Sequence, residues 1–115
     1  MARTLLVKTT SPGPHPTAGV AVTVAAGDVG NGNQFTWTGR EFLHLRNSGA
    51  STRTYTITSV ADPQGRLGNI TAQNILAGAT HVVGPLSEWF RQSDGYVYVD
   101  VSNAEVLLSV IQLPN

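Results

Sequence analysis

The stretch EFLHLRNSGASTRTYTITSV (Glu41–Val60) decides the fold, because it contains two alternating segments joined by a turn of small residues. EFLHLRN alternates apolar and polar residues, and TRTYTITSV does the same after the SGAS turn. Successive side chains of a β-strand point to opposite faces of a sheet, so a period of two indicates one buried and one solvated face. We therefore predict two sheet strands in this stretch.

The same pattern, a short strand followed by a turn of small residues, recurs along the chain at a spacing of roughly eight to twelve residues. This spacing favours a sandwich or barrel over an α/β fold. We predict an all-β protein, a two-sheet antiparallel β-sandwich of the jelly-roll or immunoglobulin-like type with eight or nine short strands. The predicted strands are Thr4–Lys8, Val20–Ala26, Phe35–Thr38, Phe42–Asn47, Thr54–Val60, Ile70–Asn74, His81–Val83, Tyr96–Val101 and Val106–Leu113.

Alternation within each strand also predicts which side chains face the core. One helical turn fits the chain, in LSEWFRQSDG (Leu86–Gly95), with Ser87 as its N-cap. The side chains predicted to face inward are Val20, Val22, Val24, Leu43, Leu45, Tyr55, Ile57, Val97, Val99, Val101, Val106, Leu108 and Val110.

The chain divides into an N-terminal strand with a proline-rich arm (residues 1–19) and a β-sandwich domain (residues 20–115). SPGPHPTAG (Ser11–Gly19) contains three prolines in five residues. Because proline fixes φ and biases the preceding residue toward an extended backbone, this segment is a stiff connector rather than a strand or helix. Two interpretations remain: a surface loop between the first two strands, or an arm that lays the first strand on a neighbouring subunit.

Composition limits the classes of function. The chain carries seven basic and seven acidic residues in 115, a net charge of zero, and has no cysteine. A neutral surface does not supply the phosphate neutralisation that nucleic-acid binding needs, and no apolar run is long enough for a membrane span. The low charge also removes the repulsion that keeps monomers apart, which favours a protein that functions in an assembly.

Candidate catalytic and metal-binding residues do not form a recognisable pattern. The three histidines, His15, His44 and His81, lack the close spacing of a zinc site. Asp28, Asp62 and Asp94 stand beside glycine or proline, as turn residues do. No GxSxG motif occurs, and GDVGNGN lacks the GK[ST] ending of a phosphate-binding loop. We predict no enzymatic activity, no metal and no cofactor.

The aromatic residues Trp37, Trp89 and Phe90 are the remaining candidates for a binding surface. Three interpretations stay open. They anchor a loop against the core, they contribute to a subunit interface, or they form a platform for a sugar ring. Tryptophan and arginine are favoured interface anchors, and WF is followed by Arg91.

Several turn motifs together resemble a known family. FLHLRNSGASTRTYTIT, the DPQGR loop, ILAGATHVVGPL, FRQSDGYVYVDVS and the closing VIQLPN resemble the head decoration, or minor capsid, proteins of tailed bacteriophages. The likeness covers about Phe42–Pro114 and, more loosely, the MART opening. The matching positions are Asn47 to Ala50, Asp62 to Gly65, Ala77 to Thr80, Gly84-Pro85, Gln92 to Gly95 and Leu113-Pro114.

The resemblance implies a non-enzymatic virion protein that decorates and stabilises the outside of a capsid shell. Its implied partners are the major capsid protein and further copies of itself, with a trimer favoured, and its location is the capsid surface after assembly in the host cytoplasm. A phage tail or neck protein and a carbohydrate-binding or adhesion module are the alternatives. The residues expected at the interface are Arg3, Leu5, Pro12, Pro14, Pro16, Trp89, Phe90 and Arg91.

Overall fold

The structure is a computed structural model and describes residues 3–12, 18–61 and 63–113. Within these ranges the chain forms strands and a single short 3-10 helix, Glu88–Phe90, which confirms the all-β prediction. The strands are β1 (Thr4–Leu5), β2 (Lys8–Thr10), β3 (Ala25–Ala26), β4 (Asn33–Thr36), β5 (Glu41–Asn47), β6 (Arg53–Ile57), β7 (Ile70–Ile75), β8 (Thr80–Val83), β9 (Tyr96–Val101) and β10 (Val106–Gln112).

The strands form two sheets that are compatible with a β-sandwich. The first sheet has the order β1-β4-β9-β6-β7, and the second has the order β2-β10-β5-β8 with β3 also paired to β10. The prediction of purely antiparallel sheets is wrong, because β1 pairs in parallel with β4 and β2 pairs in parallel with β10. The reason is the path of the N-terminal segment, which pairs first with one sheet and then with the other.

The core lies between the sheets, where the strand faces predicted from β5, β6, β9 and β10 meet. All ten inward-facing side chains predicted in those strands are buried, as the period-two pattern requires. Leu6, between β1 and β2, adds a further buried side chain. Phe35 from β4 and Ile75 from β7 complete the large side chains of the core.

The N-terminal segment is integrated into the sandwich of its own chain. The predicted strand Thr4–Lys8 is divided in two, and the Leu6 N–H donates to the Gln34 carbonyl at the point where the chain leaves the first sheet. Lys8 then forms an ion pair with Glu41 at 3.1 Å, in which the Glu41 side chain is only 2% exposed. Burial opposes ionisation of Glu41, but hydrogen bonds from Thr38 and Lys8 outweigh burial and lower the Glu41 pKa.

The prediction that Val20, Val22 and Val24 face inward is wrong. These side chains are 51%, 42% and 55% exposed, and only Ala25–Ala26 of the predicted strand Val20–Ala26 pairs with a neighbour. The cause is competition for one sheet edge. β5 covers one edge of β10, and β2 occupies the other edge next to β3, so no free edge of β10 remains for the valines.

The predicted helical turn is present, and its cap is the predicted one. Ser87 precedes the 3-10 helix Glu88–Phe90, and its side-chain oxygen accepts a hydrogen bond from the Trp89 N–H at 3.4 Å. A different strand, β6, is shorter than predicted, because it ends at Ile57 rather than Val60. Beyond Ile57, the Asn69 side-chain oxygen accepts a hydrogen bond from the Ser59 N–H at 2.7 Å. This N–H is therefore bonded to a loop side chain instead of a neighbouring strand.

Candidate interaction surfaces

Arg3 is committed to its own chain. Its guanidinium makes a bidentate ion pair with Asp100, at 2.9 Å and 3.2 Å, and donates to the Asn33 carbonyl at 3.2 Å. The same group lies 4.2 Å from the centre of the Tyr98 ring, a cation–π arrangement. Arg3 therefore fixes β1 to the first sheet.

Two acidic side chains, Asp28 and Asp94, are held as carboxylates by local hydrogen bonds. The Thr4 hydroxyl donates to Asp28, which lowers the Asp28 pKa. The Tyr98 hydroxyl donates to Asp94 at 2.5 Å, which lowers the pKa of Asp94 and raises that of Tyr98. Both aspartates also accept a backbone N–H two or three residues ahead, as expected of turn residues.

A second group of predicted interface residues lies at the end of β4 that is farther from Arg3. This group contains Trp89, Phe90 and Arg91. Phe90 is half-buried and packs against the core, whereas Trp89 is 40% exposed. The Val60 N–H donates to the Trp89 carbonyl at 2.6 Å, which ties the 3-10 helix to the segment after β6. Leu67, 62% exposed, lies in the loop that borders the same region. We call these residues, Val60, Leu67, Trp89, Phe90 and Arg91, the tryptophan end.

Two depressions meet at the tryptophan end. One, of about 220 Å³, is lined by the apolar residues Val60, Leu67, Trp89 and Phe90 together with Ser59, Arg66, Gly68 and Ser87. The other, of about 550 Å³, is open, and it is lined by Val60, Arg91, Gln92, Ser93, Asp94 and Gly95. The geometry suits contact with another surface more than enclosure of a small ligand.

Trp37 is anchored rather than free. Its indole Nε1 donates to the Leu86 carbonyl at 2.9 Å, and its ring packs against the core. The Arg91 guanidinium lies 5.2 Å from the centre of the ring. Of the two tryptophans, Trp89 is the one with the more exposed ring.

The structure does not bring the predicted interface residues into one site. Arg3 lies beside Asn33 at one end of β4, whereas Trp89, Phe90 and Arg91 lie beyond the other end, where the Trp37 N–H donates to the Gly95 carbonyl. The remaining predicted residues are divided as well. Leu5 and Pro12 are exposed, while Pro14 and Pro16 lie outside the described residues.

Sequence reasoning missed two features of the surface. The first is Leu67, the one large aliphatic residue in the stretch ADPQGRLGN (Ala61–Asn69), and its presence there is a signal for a contact surface. The second feature is the segment from Ala18 to Val24, every residue of which is exposed. Its alternating valines predict a buried face, because that pattern normally has a partner strand.

The described part of the chain contains no group of three or more histidine, cysteine or acidic side chains placed to hold a metal ion. His44 is half-buried, and a hydrogen bond of 3.1 Å joins His81 Nδ1 to the Tyr55 hydroxyl. His15 and Asp62 lie outside the described residues. In the same ranges, no helix has both the length and the apolar character needed to cross a bilayer.

Comparison with family models, with curated proteins and with solved structures gave no match.

Proposed function

We propose that this protein is a non-enzymatic structural component of a virion that binds the outside of an assembled phage capsid shell and stabilises it. The observation that carries the proposal is the amount of aliphatic and aromatic surface left exposed on a chain with zero net charge. Contiguous exposed apolar surface marks interaction sites on proteins of this size. The resemblance of the turn motifs to decoration proteins supplies the class of partner, the major capsid protein.

The tryptophan end is the surface we assign to the shell. Trp89 and Leu67 are exposed beside Arg91, and aromatic and arginine side chains are the commonest hot spots of protein interfaces. Phe90 is packed on the core, so the surface is held rigidly and loses little conformational entropy on binding. A rigid apolar patch with arginine at its margin fits a partially apolar protein surface.

Repetition explains how a modest contact suffices. Many identical copies bind symmetry-related sites on a shell, and avidity lets each contact be weak when copies are also joined to one another. Local threefold positions on a shell favour a trimer, because oligomers adopt closed symmetry. The proposed partners are therefore the major capsid protein and other copies of this chain.

A matched pair of leucine variants tests the assignment. Leu67 is 62% exposed at the tryptophan end, and Leu76 is 65% exposed in the connection between β7 and β8. We expect Leu67→Ala and Trp89→Ala to weaken binding to purified capsid shells about tenfold or more, because hot-spot truncations cost about 2 kcal/mol. Leu76→Ala is the control and should bind as the wild type does. Equal effects of the two leucine variants would contradict the assignment.

Sugar binding is the second candidate, and the exposure of Trp89 is the observation in its favour. Stacking on an indole ring needs one exposed face, which Trp89 offers more than Trp37 does. Titration of glycans followed by tryptophan fluorescence separates the two functions. Saturable binding that Trp89→Ala abolishes without unfolding would favour an adhesion module. A tail or neck location is the third candidate, and antibody labelling of virions distinguishes it from the capsid surface.

A further inference from the structure

The segment from Ala18 to Val24 has the sequence of a strand, but it pairs with no strand among the residues that the structure describes. Valine occupies every second position, at Val20, Val22 and Val24, with Ala21 and Thr23 between them. β-branched residues in strict alternation are typical of a half-buried strand. Residues 19–24 run without a turn or a bend, yet they are exposed throughout.

The backbone of this segment is almost entirely unpaired. Among the described residues, its sole hydrogen bond runs from the Thr23 N–H to the Thr9 hydroxyl, at 3.1 Å. Unpaired N–H and C=O groups beside apolar side chains make an edge that recruits another strand. Natural edges of this kind are blunted by charge or proline, and residues 18–24 contain neither.

The one hydrogen bond shows which backbone groups are available. Neighbouring residues of an extended strand direct their N–H and C=O groups to opposite sides. The Thr23 N–H points toward β2 of its own chain, so an extended backbone over this segment would direct the backbone groups of Val20, Val22 and Val24 to the other side. The outward side therefore presents donors and acceptors at every second residue, as an antiparallel neighbour requires.

We propose that residues 18–24 pair with the same segment of a second copy of this chain, as an antiparallel two-stranded contact around a two-fold axis at Val22. In this register Val22 lies opposite Val22, and Val20 lies opposite Val24. The pattern is self-complementary, because valine meets valine at each outward position. A two-fold contact of one segment with itself is the isologous arrangement that most homodimers use.

Charge and area favour a second copy as the occupant. The segment carries no charge, and nearby Lys8 is neutralised by Glu41, so two copies approach without like-charge repulsion. The exposed valine surface is on the order of 250 Å² per copy, well below the 800 Å² per partner of a standard interface. The contact is therefore weak in isolation, with a dissociation constant between roughly 10 µM and 1 mM.

This inference deepens the oligomer part of the proposed function but does not rest on the shell. An isologous pair joins copies two at a time, so it would connect neighbouring copies whether or not trimers also form. Its test uses the isolated chain, and shell binding is measured separately. Failure of self-pairing would leave the assignment of the tryptophan end to the shell standing, and failure of shell binding would leave the pairing standing.

Sedimentation equilibrium on the full chain, from about 10 µM to 2 mM, tests the pairing. We expect the wild type to form dimers with rising concentration, and we expect Val22→Glu to weaken dimerisation at least tenfold because it places two carboxylates opposite each other. Val29→Glu is the matched control. Val29 is 54% exposed in a turn outside the segment, and this variant should dimerise as the wild type does. Circular dichroism checks that each variant is folded.

Cysteine cross-linking tests the register independently of Val22→Glu. The described residues contain no free cysteine and the sequence contains none, so any disulfide comes from the introduced residue. Val22→Cys should cross-link with itself, and Val20→Cys should cross-link with Val24→Cys but not with itself, because disulfides need Cα atoms within about 7 Å.

Three results would overturn the proposal: a wild type that stays monomeric up to about 2 mM, equal dimerisation of the two glutamate variants, or no cross-link at Val22 above that at Val29→Cys.

Discussion

Asn47 offers the sharpest test of how the loops are held on the sandwich. It is fully buried at the end of β5, and its Nδ2 donates to the Ser51 carbonyl at 2.6 Å and to the Ile75 carbonyl at 3.0 Å. Its Oδ1 accepts the Gly49 N–H at 3.0 Å. One amide thus joins the turn after β5 to the end of β7, and both of its polar atoms are used.

The size of the effect follows from those three bonds. Asn47→Ala removes all three and takes one hydrogen bond away from the carbonyl of the buried residue Ile75. At about 1 kcal/mol per net hydrogen bond, with an added cost for the buried group, we expect a loss of about 3–4 kcal/mol in the free energy of unfolding. That is a large part of the roughly 5–15 kcal/mol that stabilises a domain of this size.

Asn47→Asp is the more informative variant, because it keeps the shape and the acceptor but replaces a donor with a second acceptor. At neutral pH a carboxylate oxygen would face two carbonyl oxygens, so we expect this variant to be at least as unstable as Asn47→Ala. Protonation would restore a donor, so the folded-state pKa of the introduced carboxyl is raised. The deficit relative to wild type should therefore shrink as the pH falls below that pKa.

Urea denaturation followed by circular dichroism measures both variants. Asn69→Asp is the matched control, since Asn69 is exposed and its side-chain oxygen only accepts, from the Ser59 N–H and hydroxyl. It should unfold within about 0.5 kcal/mol of wild type. If Asn47→Asp were as stable as Asn69→Asp, the donor role of the Asn47 amide would be refuted.

The other predictions concern the core, pH and ligands. Leu45→Ala should lower the free energy of unfolding by about 2–5 kcal/mol and Val99→Ala by somewhat less, because both wild-type side chains are 0% exposed. Val82 is 60% exposed, so Val82→Ala should change the free energy of unfolding by less than about 0.5 kcal/mol. Because the Glu41 pKa is lowered in the folded state, its contribution is present above the unfolded value of about 4.3 and is lost as the pH falls through the folded pKa. Acid titrations of urea stability should thus show a shallower decline in Glu41→Gln than in wild type, and parallel declines would contradict this. We expect no change in tryptophan fluorescence on glycan addition, and a saturable change lost in Trp89→Ala would instead favour the adhesion function.

The sequence contains most of the information needed for the core and little of what is needed for the N-terminal third. In β5, β6, β9 and β10 the buried residues follow from alternation alone, because each of these strands lies in the sheet interior with partners on both sides. The segment before β3 has the same alternation, but both edges of β10, the strand that β3 joins, are already occupied by β5 and β2. Alternation of apolar and polar residues indicates that a strand can form. It does not indicate whether the partner strand belongs to the same chain or to another molecule.

The candidate surfaces were predictable only in part. Ser87 as a cap and a turn at Trp89 follow from local preferences, which act over a few residues. The ion pair between Arg3 and Asp100 joins residues that are 97 positions apart, so no local sequence pattern predicts it. For the same reason the two groups of predicted interface residues, at opposite ends of β4, could not be separated before the fold was known.

Counting the copies bound to assembled shells is the most direct test of the proposed function. Purified chain is titrated into empty shells built from the partner major capsid protein, and the bound chain is quantified after sedimentation, with unassembled capsid subunits as the comparison. The proposal predicts saturation at a fixed ratio of chain to capsid subunits, higher shell stability when saturated, and much weaker binding to unassembled subunits. Absence of saturable binding to shells, or equal binding to unassembled subunits, would contradict it.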